Sequence, residues 1–365
     1  MVKKLQLSLA PRERSLPRFN SLLVSVTEAC NVGCAHCGFI GSSRDREAEA
    51  EEMAGWVDQA CEYGVPTIIF TGGEPFMRFE TLEKGVATAA ARGARVACFT
   101  SSNWASSLDE ARRTLGRLPG LTQLYLSSDV FHQRKVPYRN VYNVIEAAHE
   151  RQLRDITICI TYTTDEERAS VRAAYDPYAS SLRFHEDRVI PNPHFGVKLL
   201  RRQDPLLAPH PEEYSCACWI GTPMINPDAD VFSCHIAKAA AHRDFRELPH
   251  YLGNLREHGF LEIMERSSRR ADYQFLRTHG PRGVAQLFDR NPDLMQAVHT
   301  PGRGGFTNGC DMCFSVLATP EGRATLAEHL ANSAVGDAID IRLTLQLGEA
   351  PLPDSASPSS SVSEQ

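Results

Sequence analysis

The chain has 365 residues, 39 Lys+Arg against 45 Asp+Glu, and a net charge of −6. Hydrophobic residues make up 42% and charged residues 23%, which suits a folded globular protein and excludes a wholly disordered chain or a coiled coil. A net acidic chain lacks the electrostatic footprint of a nucleic-acid binder. No apolar run reaches the ~18 residues of a spanning helix, and the N-terminal MVKKLQLSLAPRERSLPRF has no signal-peptide core. No nucleic acid, no membrane and a cytoplasmic, reducing location are therefore expected.

The first 190 residues alternate between apolar β-rich runs and helical stretches that end near Gly or Pro. Strands are expected at Ser21–Val26, Thr67–Phe70, Arg95–Thr100, Leu121–Ser127, Asp155–Thr161 and Leu182–Ile190. Helices are expected between them at Glu49–Tyr63, Phe79–Arg92, Leu108–Leu118, Tyr138–Gln152 and Glu166–Tyr175, the first two closed by Gly64 and Gly93. Such a series predicts an α/β fold: a parallel sheet with helices outside, joined by right-handed crossovers and curling into a partial (β/α)6 barrel. In such barrels the chemistry sits at the carboxyl ends of the strands. Beyond residue 190 the alternation stops. Pro223 and Asn226-Pro227-Asp228 within 216–236 suggest a short hairpin. Residues 248–332 read as mostly helical, with a loop at Thr300–Asn308, and the Pro- and Ser-rich stretch from Gly348 reads as disordered. The expected organisation is an N-terminal segment (1–19), the partial barrel (20–200), a cysteine-rich, mostly helical extension (201–347) and a tail (348–365).

Eleven cysteines in a reducing compartment point to metal or redox chemistry. Cys61, Cys98 and Cys159 are isolated and read as small buried hydrophobes. Cys30-Asn-Val-Gly-Cys34-Ala-His-Cys37 follows the first strand directly. Three thiolates in that span can grip one face of an iron–sulfur cube and leave one iron open; with His36 they could instead form a zinc site. Thr71-Gly72-Gly73-Glu74-Pro75 follows the second strand, at the same barrel end. Its glycines let backbone approach a ligand closely, and Glu74 could hold an amino group. Cys218 and Cys234 flank the hairpin and Cys310-Asp-Met-Cys313 closes the helical region. These four thiolates suffice for a complete cluster or for zinc.

Cys-x3-Cys-x2-Cys after the first strand with Gly-Gly-Glu-Pro after the second resembles the radical SAM superfamily. The resemblance implies a 4Fe-4S cluster on Cys30, Cys34 and Cys37, with S-adenosylmethionine on the open iron. Gly72, Gly73 and Glu74 would meet the methionine amino end, and Ser102, Asn103, Ser127 and Asp129, at the ends of strands three and four, would meet the ribose or carboxylate. Reductive cleavage would then yield a 5′-deoxyadenosyl radical that takes a hydrogen atom from the substrate. His132, three residues past Asp129, is a candidate for a catalytic role.

The later cysteines resemble a SPASM/twitch extension, which implies a second 4Fe-4S cluster on Cys218, Cys234, Cys310 and Cys313. Cys216 would be an alternative ligand, a hydrogen-atom donor or a spare thiol. The layout is similar to radical SAM peptide epimerases, whose donor cysteine directly follows the last hairpin ligand. Here His235 stands in that place, so Cys216 would have to substitute.

The implied activity is maturation of a ribosomally made peptide by oxidation, crosslinking or epimerisation. It would use a one-electron donor such as flavodoxin or ferredoxin and, given the short segment before the first strand, a separate leader-peptide-binding protein. The alternative is a dehydrogenase or epimerase of a sugar or aminocyclitol, with Glu186 and Asp187 as candidates facing a cationic substrate. A zinc-stabilised binding protein is a third, remote reading.

Overall fold

The structure, a computed structural model, describes residues 16–37, 47–153, 155–189, 208, 210–215, 221–234, 245–298, 305–306 and 308–348. Cys216, Cys218 and His235 lie outside the described residues, as do Ile190, six of the nine residues of the expected loop at 300–308 and all but the first residue of the expected tail.

The expected strands all form: β1 (Leu22–Thr27), β2 (Thr67–Gly72), β3 (Arg95–Thr100), β4 (Gln123–Ser127), β5 (Asp155–Tyr162) and β6 (Arg183–Arg188). They pair in parallel and in sequence order. Between them run α1 (Ala50–Tyr63), α2 (Phe79–Ala91), α3 (Leu108–Gly116), α4 (Tyr138–Glu150) and α5 (Asp165–Ala173). Each boundary has a local cause. Gly64 ends α1 at φ 100, in the left-handed region that favours glycine. Thr164 and Glu167 form a reciprocal capping box at the start of α5. Every side chain of β1 is buried, as expected for a strand covered on both faces. In β6 exposed residues alternate with half-buried ones, which marks it as an edge.

One feature was not legible in the linear pattern. The hairpin β7 (Met224–Ile225) and β8 (Asp230–Phe232), followed by β9 (Tyr251–Asn254), extends the barrel's own sheet. The strand order is β6-β5-β4-β3-β2-β1-β7-β8-β9. β7 runs parallel to β1, and β8 and β9 continue antiparallel. The stretch read as mostly helical thus opens with a strand, and its helices begin at Phe260 with α6 (Phe260–Ser268) and α7 (Ala271–Ala285).

The outer core packs the helices against the sheet through Val24, Ile68, Phe70, Leu124 and Ile156. A second cluster fills the inner face, where Leu23, Ile69 and Ala97 meet Met224, Phe232, Leu248 and Phe314. Phe314 belongs to the helix Gly309–Leu317, which carries Cys310 and Cys313, so the extension plugs the barrel interior. No helix among the described residues is long and apolar enough to cross a membrane.

Candidate active site and second cysteine group

Cys30, Cys34 and Cys37 line one cavity of about 240 Å³ at the carboxyl ends of the strands. Thr71, Gly72 and Gly73 line it from β2, Thr100 and Ser101 from β3, and Ser127 and His132 from the end of β4. Leu23 and Phe99 are its apolar members.

The two glycines are required by chain against chain. A Cβ on Gly72, at φ 130, would sit 2.3 Å from the Thr27 carbonyl oxygen; one on Gly73 would sit 2.0 Å from that of Ala29. The Gly73 N–H donates to the Thr27 carbonyl at 2.6 Å, and the Glu74 N–H to that of Ala29 at 2.9 Å. The glycine turn therefore clamps the start of the cysteine loop while lining the cavity.

Glu74 is buried and is not among the residues that line the cavity. Its carboxylate accepts from the Thr100 hydroxyl at 2.8 Å, the Ser101 N–H at 2.8 Å and the Ser101 hydroxyl at 2.6 Å. Burial pushes its pKa up, and the Ser101 and Thr100 hydrogen bonds offset only part of this. Its visible work is to tie the ends of β2 and β3 together.

Of the other expected contacts, Ser127 lines the cavity, whereas Ser102, Asn103 and Asp129 do not. Ser101 lines the cavity; Ser102 is buried at φ 64, its hydroxyl without a partner among the described residues. Asn103 is half-buried, and its carbonyl accepts from Asn140. Asp129 lies behind the cavity, 1% exposed, and accepts the N–H groups of Phe131 and His132, both at 2.9 Å. Its other oxygen lies 2.9 Å from His132 Nδ1 and 3.8 Å from His36 Nε2. Burial works to raise the Asp129 pKa, but the charge and hydrogen bond of His132, with His36 beyond, hold it below its ordinary value. The carboxylate thus ties the cysteine loop, through His36, to the end of β4.

The donor set fits an iron–sulfur cluster. Burial pushes the Cys34 thiol up, reinforced by Asp129, Cys37 and Cys30 and opposed by Lys135. A thiol that resists ionisation in a desolvated pocket becomes a thiolate once a cationic metal core binds it. Burial also drives His36 down to about 4, and its buried Nδ1 has no partner among the described residues.

The isolated cysteines occupy strands and a helix face; Cys98 is fully buried, whereas Cys61 and Cys159 are partly exposed. Glu186 pairs with Arg172 at 2.9 Å and Asp187 with His185 at 2.7 Å; neither lines the cavity.

In the second cysteine group Cys234 and Cys313 are buried and Cys310 is half-buried. A residue that no motif indicated joins them. The Ser233 N–H, beside Cys234, donates to the His250 carbonyl at 2.7 Å, and His250 Nε2 lies 3.8 Å from Cys313 Sγ. Burial pushes His250 down to about 4, so its imidazole is neutral.

A parallel partial barrel thus brings three cysteines and a glycine turn into one cavity at its strand ends. Residues 24–176 match the family profile described as the Radical SAM superfamily. Residues 24–176 are thus a radical SAM domain, and enzymes of that superfamily use a 4Fe-4S cluster and S-adenosylmethionine. The Fe-coproporphyrin III synthase of Methanosarcina barkeri is 26% identical over 161 residues, 42% of this chain and 39% of that protein. The GTP 3′,8-cyclase of Stenotrophomonas maltophilia is 32% identical over 120 residues, 32% of this chain and 36% of that protein. The chain thus spans under two fifths of the length of these relatives. The structure of native anSMEcpe with bound AdoMet and Cp18Cys peptide superposes with a TM-score of 0.50 at 14% identity, covering 86% of this chain and 98% of that one. That likeness is one of fold.

Proposed function

We propose that this radical SAM enzyme modifies a peptide, with the cavity of Cys30, Cys34, Cys37 and the Gly72–Gly73 turn as its reaction site. The observation that carries the reading is the meeting of three buried or half-buried thiols and the glycine turn in one cavity at the strand ends. A cluster and S-adenosylmethionine bound there would supply the chemistry of hydrogen-atom abstraction. The chain's own residues place and shield that chemistry. Cys30, Cys34 and Cys37 would hold the metal. The glycine turn fixes the cysteine loop and offers backbone groups to the ligand's amino end, with Ser101 and Ser127 beside it. Leu23 and Phe99 keep the cavity dry on its inner side. Asp129 fixes His132 against the cavity wall.

Peptide rather than sugar chemistry is supported by two observations. The superposable anSMEcpe structure holds a peptide. The acidic pair that would suit a cationic aminocyclitol, Glu186 and Asp187, is already paired and lies off the cavity. We further propose that Cys234, Cys310 and Cys313, together with Cys218, hold a second 4Fe-4S cluster, which can accept the second electron of a net oxidation.

The test is an iron and sulfide count after anaerobic reconstitution, with 5′-deoxyadenosine formation under reductant. Wild type should hold about eight irons, and the Cys30/Cys34/Cys37 triple Ala variant about four, with cleavage lost. Retained 5′-deoxyadenosine in the triple variant would sink the assignment of the radical site. The peptide part is tested with short peptides encoded beside the gene. Loss of two hydrogens, or deuterium uptake from solvent, supports it; turnover of a sugar instead overturns it.

A further inference from the structure

His250 is 2% exposed, lies in no cysteine motif, and meets the second cysteine group twice. Its backbone carbonyl holds the Ser233 N–H next to Cys234, and its Nε2 faces Cys313 Sγ at 3.8 Å. Its backbone is held on both sides. The Arg270 guanidinium, paired with Asp272, donates to the Tyr251 carbonyl and, at 3.2 Å, to that of Pro249, clamping both sides of the histidine. His250 Nδ1 is buried with no hydrogen-bond partner among the described residues.

That last fact selects a tautomer. A metal-ligating imidazole nearly always donates its other N–H to a carboxylate, carbonyl or water. Ligation through Nε2 would leave Nδ1–H as an orphaned buried donor. With the proton on Nε2, the orphan is an acceptor instead, which buried sites tolerate better. We propose that His250 is a positioning residue for a second metal centre, donating from Nε2–H to the sulfur of Cys313. The inference rests on the reading that this cysteine group holds a 4Fe-4S cluster. A hydrogen bond to a ligating sulfur favours the more negative, reduced state and raises the reduction potential.

The test uses the full chain with Cys30, Cys34 and Cys37 replaced by Ala, so that only the second centre remains. Iron is counted first, and the potential is then read by potentiometric titration with electron paramagnetic resonance. In this background His250→Phe should keep its iron and shift the potential negative, while His250→Gln, which retains an N–H, should move it back toward the parent. Unchanged potential in His250→Phe, with about four irons present, would overturn the role of His250. Loss of iron from a folded His250→Phe chain would also overturn it, in favour of ligation. If His250→Phe does not fold, pulsed resonance on the parent with 15N-labelled histidine decides. A weak coupling to an exchangeable imidazole proton supports the hydrogen bond; a strong nitrogen coupling, or none, overturns it. Zinc or no metal in the parent background would instead defeat the second-cluster reading itself, and the role of His250 with it.

Discussion

Gly73→Ala probes the clamp between the glycine turn and the cysteine loop. The added methyl would lie 2.0 Å from the Ala29 carbonyl oxygen, 2.6 Å from its carbon and 2.8 Å from the Glu28 oxygen. All three are backbone atoms, so no side chain can swing aside. Reaching an ordinary contact of roughly 3.5 Å requires the Ala29 carbonyl to retreat about 1.5 Å. That retreat breaks the bonds Gly73 N–H to Thr27 and Glu74 N–H to Ala29. Two buried hydrogen bonds at about 1 kcal/mol each, plus about 1–3 kcal/mol of overpacking, give a loss of about 3–5 kcal/mol. Ala29 directly precedes Cys30, so the displacement passes into the triad. A misplacement near 1 Å is worth about 100-fold in rate. The assays are thermal unfolding, iron content and the rate of 5′-deoxyadenosine formation. Gly55→Ala on α1, where the new Cβ meets nothing within 4 Å, is the control and should be neutral or slightly stabilising. Full iron loading with near wild-type cleavage and an unchanged melting temperature in Gly73→Ala would refute the clamp.

Further outcomes follow from single residues. Asp129→Asn should lower stability by about 1.5–3 kcal/mol and reduce iron loading, because His132 loses its carboxylate partner; unchanged thermal unfolding would count against the link. Ala229 is buried at φ 69. Ala229→Gly relieves about 1–2 kcal/mol of left-handed strain, but loses about 0.8 kcal/mol of methyl burial and gains about 0.4–1 kcal/mol of unfolded-chain entropy. Near-neutral denaturant unfolding is expected, and a change beyond about 2 kcal/mol would show that one of these effects is misjudged. His279, 9% exposed, is driven down to about 4 by burial and then by Arg342 and His329. A lowered histidine pKa means that the unfolded chain binds the proton first. Stability is therefore full above about pH 6.5 and falls as the pH drops toward 4, with a slope of up to one proton. His279→Gln should flatten urea-derived stability across that window, and an unaltered slope would place the proton elsewhere.

The barrel was legible because each strand and helix carries its own local signature. The cysteine spacing and the paired glycines were legible for the same reason. Pleat parity was harder. Ser101 and Ser102 are adjacent, identical residue types, yet one faces the cavity and the other is buried in a left-handed turn. Glu74 was expected to reach the ligand, but the hydroxyls and N–H at the end of β3 claim it, a contact set by tertiary placement. The joining of β7 to β1 bridges some 200 residues of sequence and leaves no periodic trace. His250 carries no motif; its importance appears only when Ser233 and Cys313 arrive on either side of it.

The seam between β1 and β7 also decides where this protein can be cut. A fragment ending near residue 200 would strip the partner from Leu23 and Val24, along with the bond from the Leu23 N–H to the Pro223 carbonyl. It would uncover the apolar surface that Met224, Phe232, Leu248 and Phe314 now cover. A buried strand would become a sticky edge over an open hydrophobic trough, which is a template for aggregation. Shortened versions meant to isolate the radical chemistry should therefore precipitate unless the hairpin and the helix Gly309–Leu317 travel with them.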